Sequence, residues 1–202
     1  MLYDEGMKKI VPSSAVLIPD EAECKFQGVI YDVYQWQQEL FDGSKTTFEM
    51  LRRPDTVVVI CIVDDKILVI KDEQPHSGMR LGFPGGRVDD EDQDILLAAK
   101  REVCEETGYM FDQWRLVNVF QPHTKIEWFV HIFVARGVVG TTDVQLDAGE
   151  KIIVDLLPFD EVRNQVFKKI GYLGDARTVF EKVDATAGLF ELPEFTGKEI
   201  KR

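Results

Sequence analysis

The sequence predicts an α/β fold: an α/β/α sandwich around a mixed β-sheet, with an N-terminal antiparallel β-hairpin. Three observations predict it. Two β-prone runs flank Asp42-Gly43, a strong hairpin signal. Continuous apolar runs, such as TVVVICIV (56–63), read as strands covered on both faces. The order of hairpin, strands, helix, strands and helix then places helices on the faces of a mixed sheet.

Residues 1–25 are polar and mixed, with Pro12, Ser13 and Ser14 breaking any periodicity, and only partial order is expected there. Residues 26–55 form the expected hairpin, with alternation at Val29, Tyr31 and Val33 and with Phe48 and Leu51 on the return run. Residues 56–202 form the main domain. After Pro54-Asp55, the strands 56–63 and 66–72 are joined by a tight turn at Asp64-Asp65. EQPHSGMR reads as a loop and LGFPGG (81–86) as a short strand ending in a Pro-Gly-Gly turn. The acidic loop RVDDEDQ leads into the helix DILLAAKREVCEET, which Gly108 ends as the C′ residue. WRLVNVFQ, IEWFVHIFVARG and KIIVDLLPF read as strands. DEVRNQVFKKI (160–170) reads as a helix, and DARTVFEKVDATAGLFE as one or two more.

Composition narrows the function. The 202 residues carry a formal net charge of −12, which opposes binding of a nucleic acid polymer. A phosphate-bearing small molecule is compatible with that charge only where local cations offset it, and metal ions do so. No apolar stretch approaches the roughly 20 residues that cross a bilayer, and the first residues lack the apolar core of a signal peptide. Cys24, Cys61 and Cys104 are odd in number and widely spaced, so reduced thiols are expected. A cytoplasmic protein without membrane partners follows as the expectation.

The chemistry concentrates in GGRVDDEDQDILLAAKREVCEETGY (85–109). At about 100° per residue, Glu102, Glu105 and Glu106 project within roughly a 100° arc. Leu96, Ala99 and Val103 form an apolar stripe beside that arc, which sets the acids at the edge of the buried face. Clustered, partly desolvated carboxylates repel one another, and a divalent cation removes that penalty. Mg²⁺ suits as a hard, oxygen-seeking ion. A solvated acidic face with partners such as Lys100 is the other reading of such a run. Gly85 and Gly86 let backbone approach the same site closely.

The segment resembles the Nudix box: Gly, five residues, Glu, seven residues, then Arg-Glu-aliphatic-x-Glu-Glu-x-Gly-aliphatic. Arg101, Glu102, Val103, Cys104, Glu105, Glu106, Thr107, Gly108 and Tyr109 match its second half. The first half departs. Counting from Gly86 puts Asp92 in the Glu slot, with one residue too many before Arg101, so Asp92 or Glu91 takes the first acidic role. The resemblance implies a Nudix hydrolase domain, with Glu102, Glu105, Glu106 and the Gly85 carbonyl as metal ligands. Glu105 has a second reading, as a water-positioning base alongside Glu106. Arg101 would orient the glutamates by salt bridge, with Gly86 and Gly108 structural.

Beyond the box, DGSKTTFEMLRRPDTVVVI (42–60) and DVQLDAGEKIIVDLLPFDEV (143–162) resemble the ADP-ribose and ADP-sugar pyrophosphatase branch. That resemblance implies hydrolysis of the diphosphate of a nucleoside diphosphate derivative, with Mg²⁺ or substitute Mn²⁺ and a homodimer through the hairpin. Glu150 matches a catalytic base or is an ordinary loop acid. Arg53 contacts the diphosphate or makes a salt bridge. Phe48 stacks on a nucleobase or packs in the sheet. His123, Lys125 and Glu127 line the pocket or lie on the surface. Two readings compete: a Nudix enzyme for nucleoside triphosphates or dinucleoside polyphosphates, and a non-catalytic nucleotide-binding module.

Overall fold

The computed structural model describes residues 8–75, 78–146, 149, 151–166 and 174–201. In chain order the strands are β1 (Lys8–Val11), β2 (Glu23–Gln27), β3 (Asp32–Glu39), β4 (Lys45–Arg52), β5 (Thr56–Val63), β6 (Lys66–Gln74) and β7 (Gly78–Gly82). Helix α1 (Ile95–Thr107) precedes β8 (Tyr109–Phe120), β9 (Ile126–Glu127), β10 (Val130–Thr141) and β11 (Lys151–Leu157). A short helical turn α2 (Phe159–Glu161) runs on into a π-turn at Val162–Val166. Helices α3 (Gly174–Phe180) and α4 (Thr186–Glu191) and strand β12 (Lys198–Lys201) complete the chain.

The main sheet has the order β11-β6-β5-β10-β8, with β7 on β6. Its centre is the parallel pair β5 and β10, in register from Thr56–Val130 to Cys61–Ala135, and its other pairs are antiparallel. The run 56–63 is apolar at almost every position because both faces of β5 are covered. Val57, Val59 and Cys61 face Ile95, Ala98, Ala99 and Val103 of α1. Val58 and Ile60 face Phe159, Val162, Val179, Phe180 and Leu189 of the later helices. The predicted sandwich is therefore present, with one helix on one face and the C-terminal helices on the other.

Helix α1 begins where sequence chemistry demands. Asp94 accepts the Leu97 N–H at 2.8 Å as N-cap, and Gly108 at φ 72° donates its N–H to the Cys104 carbonyl at the other end. The predicted helix 160–170 begins with α2 and the π-turn, and residues 167–173 lie outside the described residues. β7 lies upstream of the predicted strand 81–86, because Gly78–Gly82 continues the antiparallel pairing with β6 while Phe83–Gly86 leaves the sheet.

The hairpin at Asp42-Gly43 is formed by β3 and β4, with the Ser44 hydroxyl and N–H both bonded to Asp42 Oδ1. The predicted first run splits: residues 28–31 turn, and β2 folds back on β3. The small sheet runs β2-β3-β4-β9, and the parallel contact of β9 with β4 joins it to the main domain. Glu127, 2% exposed, seals that junction. It accepts from Arg52 at 2.9 Å and from the Ile18 N–H at 2.6 Å. It is thus a buried structural anion and not a surface residue.

The chain ends form an element that the sequence reading did not foresee. β1 pairs antiparallel with β12, Lys9 opposite Ile200. Under this ribbon, Lys9 Nζ meets Asp55 Oδ2 at 2.7 Å, with both side chains largely buried. His131 is buried on the main sheet nearby, and burial pushes its imidazole down to about 4, where it stays neutral at ordinary pH; the Asp55 charge opposes that shift and Lys9 reinforces it.

The sign of the resulting pH dependence is fixed. Between about 6.5 and about 4 the unfolded chain takes up the His131 proton and the folded chain does not, so acidification favours unfolding. This contribution is fully present above pH ~6.5 and fades as pH falls toward 4, about 3 kcal/mol in all at 1.36 kcal/mol per pH unit. Denaturant titrations of wild type and His131→Gln across that range should show a stability difference that shrinks with acid. A difference independent of pH would refute the assignment.

Candidate active site

The site forms where the turn after β7 meets α1. Residues 55–57 hold this turn by backbone bonds. Val57 N–H donates to the Gly86 carbonyl at 2.9 Å, Val88 N–H to the Asp55 carbonyl at 2.9 Å, and Thr56 bridges Arg87. Gly85 adopts φ 146°, and a Cβ there would lie 2.1 Å from the Val57 carbonyl oxygen. A Cβ on Gly86 would lie 2.6 Å from a carboxylate oxygen of Glu102. The two glycines thus let the turn sit directly against the sheet on one side and against an acid of α1 on the other.

Arg101 gathers the acids. Its Nε and Nη2 donate to the two oxygens of Asp92 at 3.1 and 2.8 Å, a bidentate pairing. Its Nη1 donates to Glu102 at 2.9 Å and to Glu105 at 3.1 Å. Nη2 also reaches the Arg87 carbonyl at 3.0 Å. Asp92 further accepts the Asp89 N–H at 2.9 Å, which pins the acidic loop. Of the two sequence candidates for the first acidic role, Asp92 reaches Arg101 and Glu91 is exposed. Hydrogen bonds from Arg101 hold Asp92 below the usual carboxylate range, and the bond to Asp92 raises Arg101 in turn.

Glu106 accepts the Gly85 N–H at 2.8 Å. Burial pushes the Glu102 carboxyl up to about 7 against the opposing pull of Arg101, and the charges of Glu105 and Asp89 push the same way as burial. Burial raises the Cys61 thiol under α1, with the negative charge of Glu106 adding to it. The structure therefore brings Gly85, Gly86, Arg101, Glu102, Glu105 and Glu106 together, and Gly108 caps their helix. Among the described residues, no group of three or more His, Cys, Asp or Glu side chains stands in metal-holding geometry. Glu102 and Glu105 turn toward Arg101, and Glu106 toward Gly85. The donor chemistry nevertheless fits a hard divalent ion: oxygen ligands, a half-desolvated carboxylate at Glu102, and a glycine that clears its approach.

The remaining sequence candidates lie at the small sheet or outside view. The Arg53 guanidinium lies between Trp128 and Tyr31, 4.5 and 5.6 Å from their ring centres, with its Nε buried and without a hydrogen-bond partner. The Phe48 ring packs on Trp36 at 5.0 Å and carries Lys125 Nζ at 3.5 Å over its face. His123 and Lys125 line a cavity of about 230 Å³ beside Glu49, Met50, Leu51 and Ile126. Glu150 lies outside the described residues. Sequence reading passed over Lys9 and took Asp55 for turn punctuation. No local pattern marks either, because their pairing spans the chain.

Comparison with known proteins bears on the family and the fold. The model of the NUDIX domain matches residues 52–176. A methanol dehydrogenase activator of Bacillus methanolicus is 28% identical over 159 residues, which cover 76% of this chain and 84% of the relative. An ADP-ribose pyrophosphatase of Bacillus subtilis (strain 168) is 26% identical over 159 residues, 77% of this chain and 84% of the relative. The crystal structure of an ADP compounds hydrolase superposes with a TM-score of 0.59 at 18% identity, covering 87% of this chain and 95% of that one.

The two glycines should respond differently to a methyl group. Gly85→Ala forces a backbone clash at a left-handed φ and should cost at least ~2 kcal/mol in chemical denaturation. Gly86→Ala meets only the end of a flexible side chain, so it should stay within ~1 kcal/mol of wild type while displacing the Glu102 carboxylate. Equal losses at both positions would contradict the geometry.

Proposed function

The chain belongs to the NUDIX family of hydrolases, and on that premise we propose that it cleaves the diphosphate of a nucleoside diphosphate derivative, ADP-ribose or a nucleotide sugar, to a nucleoside monophosphate and a sugar phosphate. The observation that carries the reading is the grip of Arg101 on Glu102 and Glu105 beside the Gly85 contact with Glu106. It gathers three hard carboxylates at a turn that backbone can approach closely. The resemblance to an ADP-ribose pyrophosphatase supports the choice of substrate.

Glu102, Glu105, Glu106 and the Gly85 carbonyl would hold Mg²⁺, or Mn²⁺ in its place. The ion supplies positive charge against the diphosphate and lowers the pKa of water for attack at phosphorus. The chain supplies the arrangement around it. Arg101, itself fixed by Asp92, sets the rotamers of Glu102 and Glu105. Gly86 leaves room for Glu102. Glu105, more exposed than Glu102, is the acid best placed to accept a proton from an attacking water; Glu106 and Glu150 are the other candidate bases. Arg53, its guanidinium over the rings of Trp128 and Tyr31, is the proposed diphosphate contact, an Arg fork suiting phosphate oxygens. Phe48, half-buried beside Trp36 and Lys125, is the proposed base-stacking residue.

The small sheet carries Phe26 at 62% exposure, Val29 at 96%, Ile30 at 55% and an exposed Phe41. Such apolar exposure on edge strand β2, in the turn after it and at the hairpin tip suits association with a second copy, so residues 26–55 are proposed as the homodimer surface. Sedimentation of a Phe26→Asp/Val29→Asp variant should give a monomer where wild type is a dimer; an unchanged dimer would move the interface elsewhere.

The catalytic reading is tested by a panel of nucleoside diphosphate sugars, nucleoside triphosphates and dinucleoside polyphosphates with Mg²⁺ or Mn²⁺, products identified by mass. ADP-ribose should give AMP and ribose 5-phosphate, and turnover of triphosphates alone would reject the substrate assignment. Glu106→Gln should lower the rate at least ~10²-fold, the scale of losing a principal charge stabiliser; full activity would remove the mechanism.

A further inference from the structure

We propose that Lys9 is a positioning residue for catalysis: reaching down from β1, it holds the Gly85–Arg87 turn through Asp55. The inference rests on the reading of the acids of α1 as the catalytic centre.

Asp55 is 4% exposed and serves three groups at once. One carboxylate oxygen takes Lys9 Nζ at 2.7 Å, and the other takes the Phe129 N–H at 2.9 Å. Its carbonyl takes the Val88 N–H at 2.9 Å. The next two residues bind the turn as well, Thr56 through its bridge to Arg87 and Val57 through the Gly86 carbonyl. The turn in turn fixes the acids. The Arg87 carbonyl anchors Arg101 Nη2, and the Gly85 N–H anchors Glu106. An unbroken series of bonds therefore runs from Lys9 to both ends of the acid cluster. Removing the ammonium leaves a buried carboxylate that must recruit water or a proton, and either shifts residue 55 and the turn it holds.

Two neighbours sharpen the case. His131 lies within the field of both partners, is pushed toward neutrality by Lys9 and drawn toward charge by Asp55. Lys9 is thus the cation paired with Asp55, beside a neutral imidazole. Lys8, one residue away on β1, pairs with Glu199 at 3.9 Å with both side chains mostly exposed. It shares the ribbon but not the connection to the turn, which makes it the natural control.

The test uses the full chain with Mg²⁺ and ADP-ribose. Lys9→Met should lower kcat at least about tenfold with KM within about twofold, because turn geometry is disturbed and not substrate contact. Lys9→Arg should recover most of the rate, and Lys8→Met should leave it unchanged. In Lys9→Met, the His131 imidazole followed by NMR should titrate at higher pH than in wild type. If Lys9→Met fails to fold, Lys9→Met/Asp55→Asn removes both charges and should fold with the same loss of kcat. A folded variant of either kind with the wild-type rate overturns the proposal, as does an equal loss in Lys8→Met. Glu106→Gln run alongside separates the failures. If it is inactive while Lys9→Met is fully active, the Lys9 role alone falls; if it is active, the site falls and the Lys9 role with it.

Discussion

Acidic side chains crowded at one corner of a sheet repel one another, and a helix that carries three of them could not turn them toward a core without compensation. Arg101 supplies it. A single guanidinium lies against Asp92, Glu102 and Glu105 and also reaches a backbone carbonyl of the loop. The loop, the helix and the glycine turn are therefore held by one cation, and their relative placement depends on it. Glu102 shows how finely this is balanced, since burial still outweighs the pull of Arg101 on its carboxyl. A cluster so arranged is short of positive charge, which is the condition a bound divalent ion satisfies.

The parts legible in the sequence are those governed by local pattern. The spacing of Glu102, Glu105 and Glu106 fixes their common arc, and Asp94 and Gly108 cap the helix as their chemistry requires. The doubly buried strand 56–63 was readable because every second residue serves a different face. The extra residue before Arg101 obscured the loop register, yet the carboxylate that reaches the guanidinium is Asp92, one of the two candidates that counting gave.

The parts not legible are pairings between distant residues. Nothing in LRRPDTV announces that Asp55 will be buried against Lys9, or that Arg52 will meet Glu127 beneath the small sheet. Asp55 and Glu127 are charged residues of a type usually found at the surface, and each is buried against an opposite charge from far along the chain. The split of the first hairpin run into β2 and β3 has a similar origin. Its alternation continues through residues 28–31, but the Gly28 N–H bonds the Asp32 carboxylate and closes a turn instead. Arg53 and Phe48 show a third limit: residue type suggested ligand contacts, while their aromatic and cationic neighbours, which decide what each ring or guanidinium can still bind, come from β3, β9 and the segment around them.

The pairing of β1 with β12 has a consequence for how the molecule assembles. Among the described residues β1 pairs with β12 alone, so its ladder closes only when segments far apart in the chain meet. The central sheet and α1 need only the intervening chain, whereas contacts of such long sequence separation carry the larger loop-closure cost. The ion pair of Lys9 with Asp55 depends on that closure, because β1 carries Lys9.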